Sequence, residues 1–201
     1  MKAKKILLII SIIVFIYFVG GIVYSFTKNE FIDKKIDKNV TIRGYSYILH
    51  DNDTSIYKDE FKKLKSNLEN ESIDYLEYAK SVSKMFIIDL YSLSNKKNMY
   101  DIGGVEFVYP SIVDNYKLNV ENTLYKYMED NSDGERKQEL PLVKKVIIDS
   151  IEENTFVLGE EEYSGYKANL SIEYVKDLKY DTKAEVVMIK VDSYLYVVEK
   201  N

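Results

Sequence analysis

The hydrophobic pattern divides the chain at Phe26. Ile6–Phe26 is an uncharged run of 21 residues. At a helical rise of 1.5 Å per residue it would be about 32 Å long, close to the hydrocarbon thickness of a bilayer. Lys2, Lys4 and Lys5 precede it, and positive charge stays on the cytoplasmic side. The pattern therefore predicts a cytoplasmic tail (1–5), a transmembrane signal anchor (6–26), a polar stalk (27–41) and an extracellular domain (42–201). A cleavable signal peptide is the other reading, with Val23-Tyr24-Ser25 near the cleavage region. The apolar run exceeds the usual 7–15-residue signal core, which favours the anchor. Either reading exports residues 29–201.

Beyond the stalk, Thr41–His50 alternates apolar and polar positions and predicts a short strand or extended lead-in. Asp51-Asn52-Asp53-Thr54 supplies side-chain oxygens to cap a helix over Ser55–Leu68, whose Ile56, Phe61, Leu64 and Leu68 fall at helical spacing. A longer helix is predicted over Ile73–Leu93, with Ser72 as its cap. Its stripe is Leu76, Ala79, Val82, Phe86, Leu90 and Leu93, and its last turns are apolar nearly all round, as in a buried helix. Ser94–Gly104 reads as a polar loop and Val105–Tyr109 as a brief apolar run. A third helical region is expected from Pro110 or Ser111 to about Asp130, with an inward face including Val120, Leu124, Tyr127 and Met128 and a break near Asn119.

After Pro141 the period changes from helical to alternating. Leu142–Ile151, Tyr163–Tyr174, Lys183–Val191 and Tyr194–Glu199 predict at least four antiparallel strands, the last two joined by a tight turn at Asp192-Ser193. About three helices packed on a curved antiparallel sheet give an α+β fold.

Charge narrows the partners. Four of the 28 basic residues lie at or before Lys28, whereas all 33 acidic residues follow it, so residues 29–201 carry −9. That balance argues against nucleic acid. Cysteine is absent, so there is no disulfide framework and no lipoprotein anchor. His50 is the sole histidine, and one histidine without cysteine cannot build a zinc site. Asp51-Asn52-Asp53 fails the EF-hand pattern, which needs glycine where Ile56 stands and an acid where Lys62 stands. No metal and no cofactor are expected. Phosphate loops, serine elbows and cysteine nucleophiles are also missing. The glutamates 152, 153, 160, 161 and 162 read as a solvated edge that discourages sheet-to-sheet pairing.

An anchor, a helical first half and a meander ending in a hairpin resemble the membrane-anchored nuclear-transport-factor-two-like (cystatin-like) cone domains, over about residues 43–201. The stretches Phe86–Tyr91, Asp101–Val105 and Gln138–Pro141 are also similar to exported proteins of low-GC Gram-positive bacteria. The cone resemblance implies helices against the concave side of a bent sheet. It also implies either a scaffold of a secretion or conjugation-type envelope complex or a cavity that holds a small molecule. Fold-level likeness does not fix function.

On that basis Phe86, Asp89, Tyr91, Tyr109 and Tyr125 are the candidate ligand-binding residues, lining the cone. Asp101, Gly103 and Gly104 form a candidate partner-contact loop. The leading expectation is a non-catalytic interaction or assembly module. Its partners would be the membrane, other membrane or envelope proteins and further copies of itself. Binding of a small apolar ligand, lipid or cell-wall fragment is the alternative. The last expectation is an enzyme using Asp89, since a carboxylate desolvated in a cone can act as a general acid or base. No catalytic residue is assigned.

Overall fold

The computed structural model describes residues 40–201; the predicted anchor and nearly all of the stalk lie outside the described residues. Among the described residues no helix is long and apolar enough to cross a membrane.

The lead-in forms two short strands, β1 (Val40–Thr41) and β2 (Ile48–Leu49), which pair antiparallel with each other. The turn between them uses Gly44 at φ 83°, a left-handed conformation that glycine adopts without cost. Ile42 and Tyr47 from this hairpin are buried in the core.

Helix α1 (Ser55–Leu68) begins where the cap cluster places it: Thr54 accepts from the amide of Tyr57 at 3.3 Å. Helix α2 (Tyr75–Tyr91) starts later than its predicted Ile73. The cap is Asp74, not Ser72: its carboxylate accepts from the amides of Leu76 and Glu77, both at 3.0 Å. From Ala79 onward α2 is buried on almost every side, and it touches α1 and all four strands of the main sheet. Leu76, predicted on the inward stripe, is 41 % exposed; the first turn meets the sheet through Tyr75 instead, whose ring centroid lies 3.4 Å from the Lys190 ammonium of β5.

The third helical region is broken. A 3-10 turn (Pro110–Ile112) leads into α3 (Val113–Asn122), which ends well before Asp130. The side chains of Asn122 and Thr123 donate to the carbonyls of Leu118 and Asn119, at 2.7 and 2.6 Å. Such bonds compete with the helical ladder and favour termination. Met128 and Tyr125 still reach the core from the following turns, but Tyr127 is 78 % exposed.

The main sheet is an antiparallel meander in the order β3 (Val143–Leu158), β4 (Glu161–Tyr174), β5 (Lys183–Val191), β6 (Tyr194–Lys200). One face meets the helices through Tyr166, Ala168, Leu170 and Ile172 of β4 and Ala184, Val186 and Met188 of β5. Strands β3 and β4 run on past the end of β5, so their glutamate-bearing tip is a two-stranded arm. The segment at Val108 adds a single parallel bridge to Val197 on the outer edge of β6. The described chain is thus an α+β domain of three helices on a four-stranded antiparallel sheet.

Candidate functional site

The C-terminal half of α2 separates two hollows. The first is an apolar groove of about 610 Å³ between α2, α3 and β6. Phe86 and Leu90, one helical turn apart, supply one wall, and Tyr91 closes the end. Tyr116, Val120 and Leu124 supply the other wall, and Val108 and Val197 lie beneath. The volume lies within the range of small-molecule sites.

The rim of this groove is polar. Asn115 and Asn119 stand on α3 and Thr123 just past its end, with Asp181, Lys200 and the backbone of Glu199 across from them. The Lys200 ammonium lies 5.1 Å from the centroid of the Tyr91 ring, a cation–π contact. Asn115 and Asn119 are exposed, and their side-chain amides bond to no other described residue. Asp181 has no ion pair among the described residues, whereas Glu199 turns to the other face of the sheet, where it accepts from the Asn201 amide at 2.7 Å and neighbours Lys167.

The second hollow is a polar cleft of about 530 Å³ on the opposite side of α2's end, lined by His50, Asp53, Tyr57, Asp89, Lys96 and Glu106 among others. Its centre is Glu106. The Tyr57 hydroxyl donates to one oxygen and the amide of Ile48 to the other, the latter at 3.1 Å. Burial, together with the carboxylates of Asp89 and Asp53, pushes Glu106 up to about 7, and these effects outweigh the two hydrogen bonds. Burial is also the main cause that raises Asp53 and lifts the Tyr57 hydroxyl well above its ordinary value.

Asp89 lines this polar cleft, on the other side of α2 from the groove. One oxygen is paired with the Lys96 ammonium and the other accepts from the amide of Gly104 at 2.6 Å. Arg136, on the loop before β3, donates to the carbonyls of Lys96 and Ser94, both at 2.9 Å, and so holds the turn that carries the lysine. His50 also borders the cleft, and its backbone amide donates to Asp53 at 2.6 Å.

The candidate loop Asp101–Gly104 packs onto α2. A Cβ on Gly103 would lie 2.2 Å from the carbonyl oxygen of Asp89, closer than any side chain allows. Gly104 has φ +77°, and a Cβ there would lie 2.7 Å from the Phe86 ring. Tyr116 donates to the Gly103 carbonyl at 2.6 Å. Tyr125 donates to the Leu90 carbonyl at 2.7 Å. Asp101 accepts from the amide of Lys97 at 2.9 Å and borders the cleft.

Of the expected ligand-binding residues, Phe86 and Tyr91 line the groove, whereas Asp89, Tyr109 and Tyr125 do not. Tyr125 is fully buried, with burial pushing its hydroxyl far above the ordinary range, and it ties two loops to α2. Tyr109 points to the other side of the β6 edge, against Tyr196, with ring centroids 5.6 Å apart. Sequence reasoning passed over Tyr57, Lys96 and Glu106, and the two rim asparagines. The one available signal was a charge, Glu106, inside the apolar run Val105–Tyr109. Among the described residues no group of histidine, cysteine or carboxylate side chains is placed to hold a metal.

The fold and its two hollows define an α+β domain with one apolar groove and one internally bonded polar cleft. No protein-family model, curated protein or solved structure matches the chain.

Proposed function

We propose that this chain is a non-catalytic, membrane-tethered binding module that uses the groove between α2, α3 and β6 as its docking site. The observation that carries this reading is the open apolar groove whose rim amides the fold leaves unused. Asp89 supports it from the other side: both its oxygens are engaged in holding Lys96 and Gly104, which suits a structural role better than proton transfer. The tether follows from the uncharged run Ile6–Phe26 and its basic flank. Anchoring in one membrane raises the effective concentration of the domain for neighbouring membrane or envelope proteins and for further copies of itself. A cone-type arrangement, with helices lying in the hollow of a bent sheet, agrees with this element order.

A small apolar ligand is the second reading, favoured by Phe86, Leu90, Val120 and Leu124 on the walls. One experiment addresses both. A photoreactive phenylalanine analogue is placed at Ile112, on the groove, and separately at Val157, on the exposed arm. Cells expressing the full chain are irradiated and adducts are identified by mass. The module reading expects an adduct from position 112 that is absent from 157 and lost when Val120→Trp fills the groove. A protein adduct identifies an envelope partner, and a lipid mass identifies the second reading. Identical adducts from both positions, or none from 112, would overturn the module reading.

A further inference from the structure

We infer that the groove takes an extended peptide segment of a partner protein, added as a strand beside the outer edge of β6, with one apolar side chain in the groove and a basic residue at its Asp181 end. This inference rests on the module reading above.

Backbone placement comes first. β6 is the outermost strand of the sheet, and past the single bridge between Val108 and Val197 no described strand pairs with that edge. Val198, Glu199 and Lys200 therefore border the groove along an open strand edge. Such an edge offers main-chain donors and acceptors to a chain of any sequence. Across the groove, Asn115 and Asn119 stand one helical turn apart on α3, with side-chain amides that no described residue engages. A carboxamide carries a donor and an acceptor, as a peptide unit does, so two of them can grip a main chain from the side opposite β6.

Side chains and charge narrow the partner. Alternate residues of an added strand point to opposite faces, so one side chain in each pair turns toward Phe86, Val120 and Val197. The neighbouring rim holds the carboxylate of Asp181, which has no ion pair among the described residues, while the Lys200 ammonium is engaged over the Tyr91 ring. Residues 29–201 as a whole carry −9. A lysine or arginine in the segment complements both.

The test uses the full chain in lipid nanodiscs and a phage-displayed library of random nonapeptides, counter-selected on empty nanodiscs. The expected result is enrichment of sequences that alternate apolar and polar positions and carry lysine or arginine. An enriched peptide resynthesised with N-methyl groups on alternate amides should bind about tenfold more weakly or worse, because each methyl removes a main-chain donor. The Asn115→Ala/Asn119→Ala variant should lose affinity comparably, with its urea midpoint unchanged because both amides are exposed. No enrichment, or N-methylated peptides that bind as well as their parents, would overturn the strand-addition proposal. A groove-dependent crosslink from Ile112 in that case leaves the module reading standing, and its absence removes both.

Discussion

Glu106 should make the domain less stable as pH rises through neutrality. Its carboxyl is raised from 4.5 to about 7. The folded chain therefore holds a proton between those values that the unfolded chain has released. Stability from this group is fully present below about pH 4.5, falls as pH rises, and levels off above about 7. At about 1.4 kcal/mol per pH unit, the total loss is about 3 kcal/mol. Asp53, shifted in the same direction, adds to the fall, while carboxylates held low by lysines, such as Asp149 and Glu185, affect stability only at more acidic pH.

Glu106→Gln isolates the effect. A glutamine oxygen can still accept from Ile48, and its amide can donate to the Tyr57 hydroxyl, which then turns to accept. The variant should exceed the parent by less than about 1 kcal/mol near pH 5 and by about 3 kcal/mol near pH 8. The assay is urea unfolding of both full chains in the same detergent, followed by far-UV circular dichroism at pH 5, 6, 7 and 8. Because Asp53 is common to both, the difference between the curves belongs to Glu106. Parallel curves across this range would refute the claim that burial and the neighbouring carboxylates outweigh the hydrogen bonds at Glu106.

Three further predictions concern the supports of the two hollows. Gly103→Ala forces a methyl to within 2.2 Å of the Asp89 carbonyl oxygen, so the loop must lift and the urea midpoint should fall by an equivalent of about 3 kcal/mol; an unchanged midpoint would contradict the packing described. Asp74→Ala removes the acceptor for the amides of Leu76 and Glu77 and should cost about 1 kcal/mol by the same assay. Lys96→Met leaves the Asp89 carboxylate without its cation and should cost about 2 kcal/mol, much of it recovered in the Asp89→Asn/Lys96→Met double variant. Simple additivity of the two single changes would show that the pair is not coupled.

The sequence was most legible where local signals agreed. For α1 a cap residue and an apolar stripe pointed to the same boundaries, and its range Ser55–Leu68 was read correctly. The same holds for β5 (Lys183–Val191), which an apolar run and a turn at Asp192 delimited. The third helical region failed for a local reason: Tyr127 and Met128 continue the helical spacing, but the side chains of Asn122 and Thr123 had already taken carbonyls of the last turn. The groove was half legible. Phe86 and Tyr91 follow from the apolar end of α2. Tyr109 was misplaced by one position of strand parity, since the bridge at Val108 turns Val108 toward the groove and Tyr109 away from it. Asn115 and Asn119 are ordinary helix-surface residues until the fold sets β6 opposite them.

What separates a candidate binding site from a structural one here is how the polar groups are employed. In the cleft, Glu106 ties the 3-10 turn Val105–Phe107 to β2 and α1, and Asp89 ties α2 to Lys96 and Gly104. A ligand entering there would have to displace bonds that hold the domain together. In the groove the order is reversed: the walls are apolar, and the side-chain amides of Asn115 and Asn119 bond to no other described residue. The glycine pair joins the two arrangements. Gly103 lets the loop lie on the backbone of Asp89, and Gly104 lets it lie on the ring of Phe86. The segment Asp101–Gly104, expected from the sequence as a contact loop, is also the shared support that sets Asp89 on one side of α2 and the Phe86 wall on the other. Its glycines are needed for that close approach, so they bear on the shape of the groove.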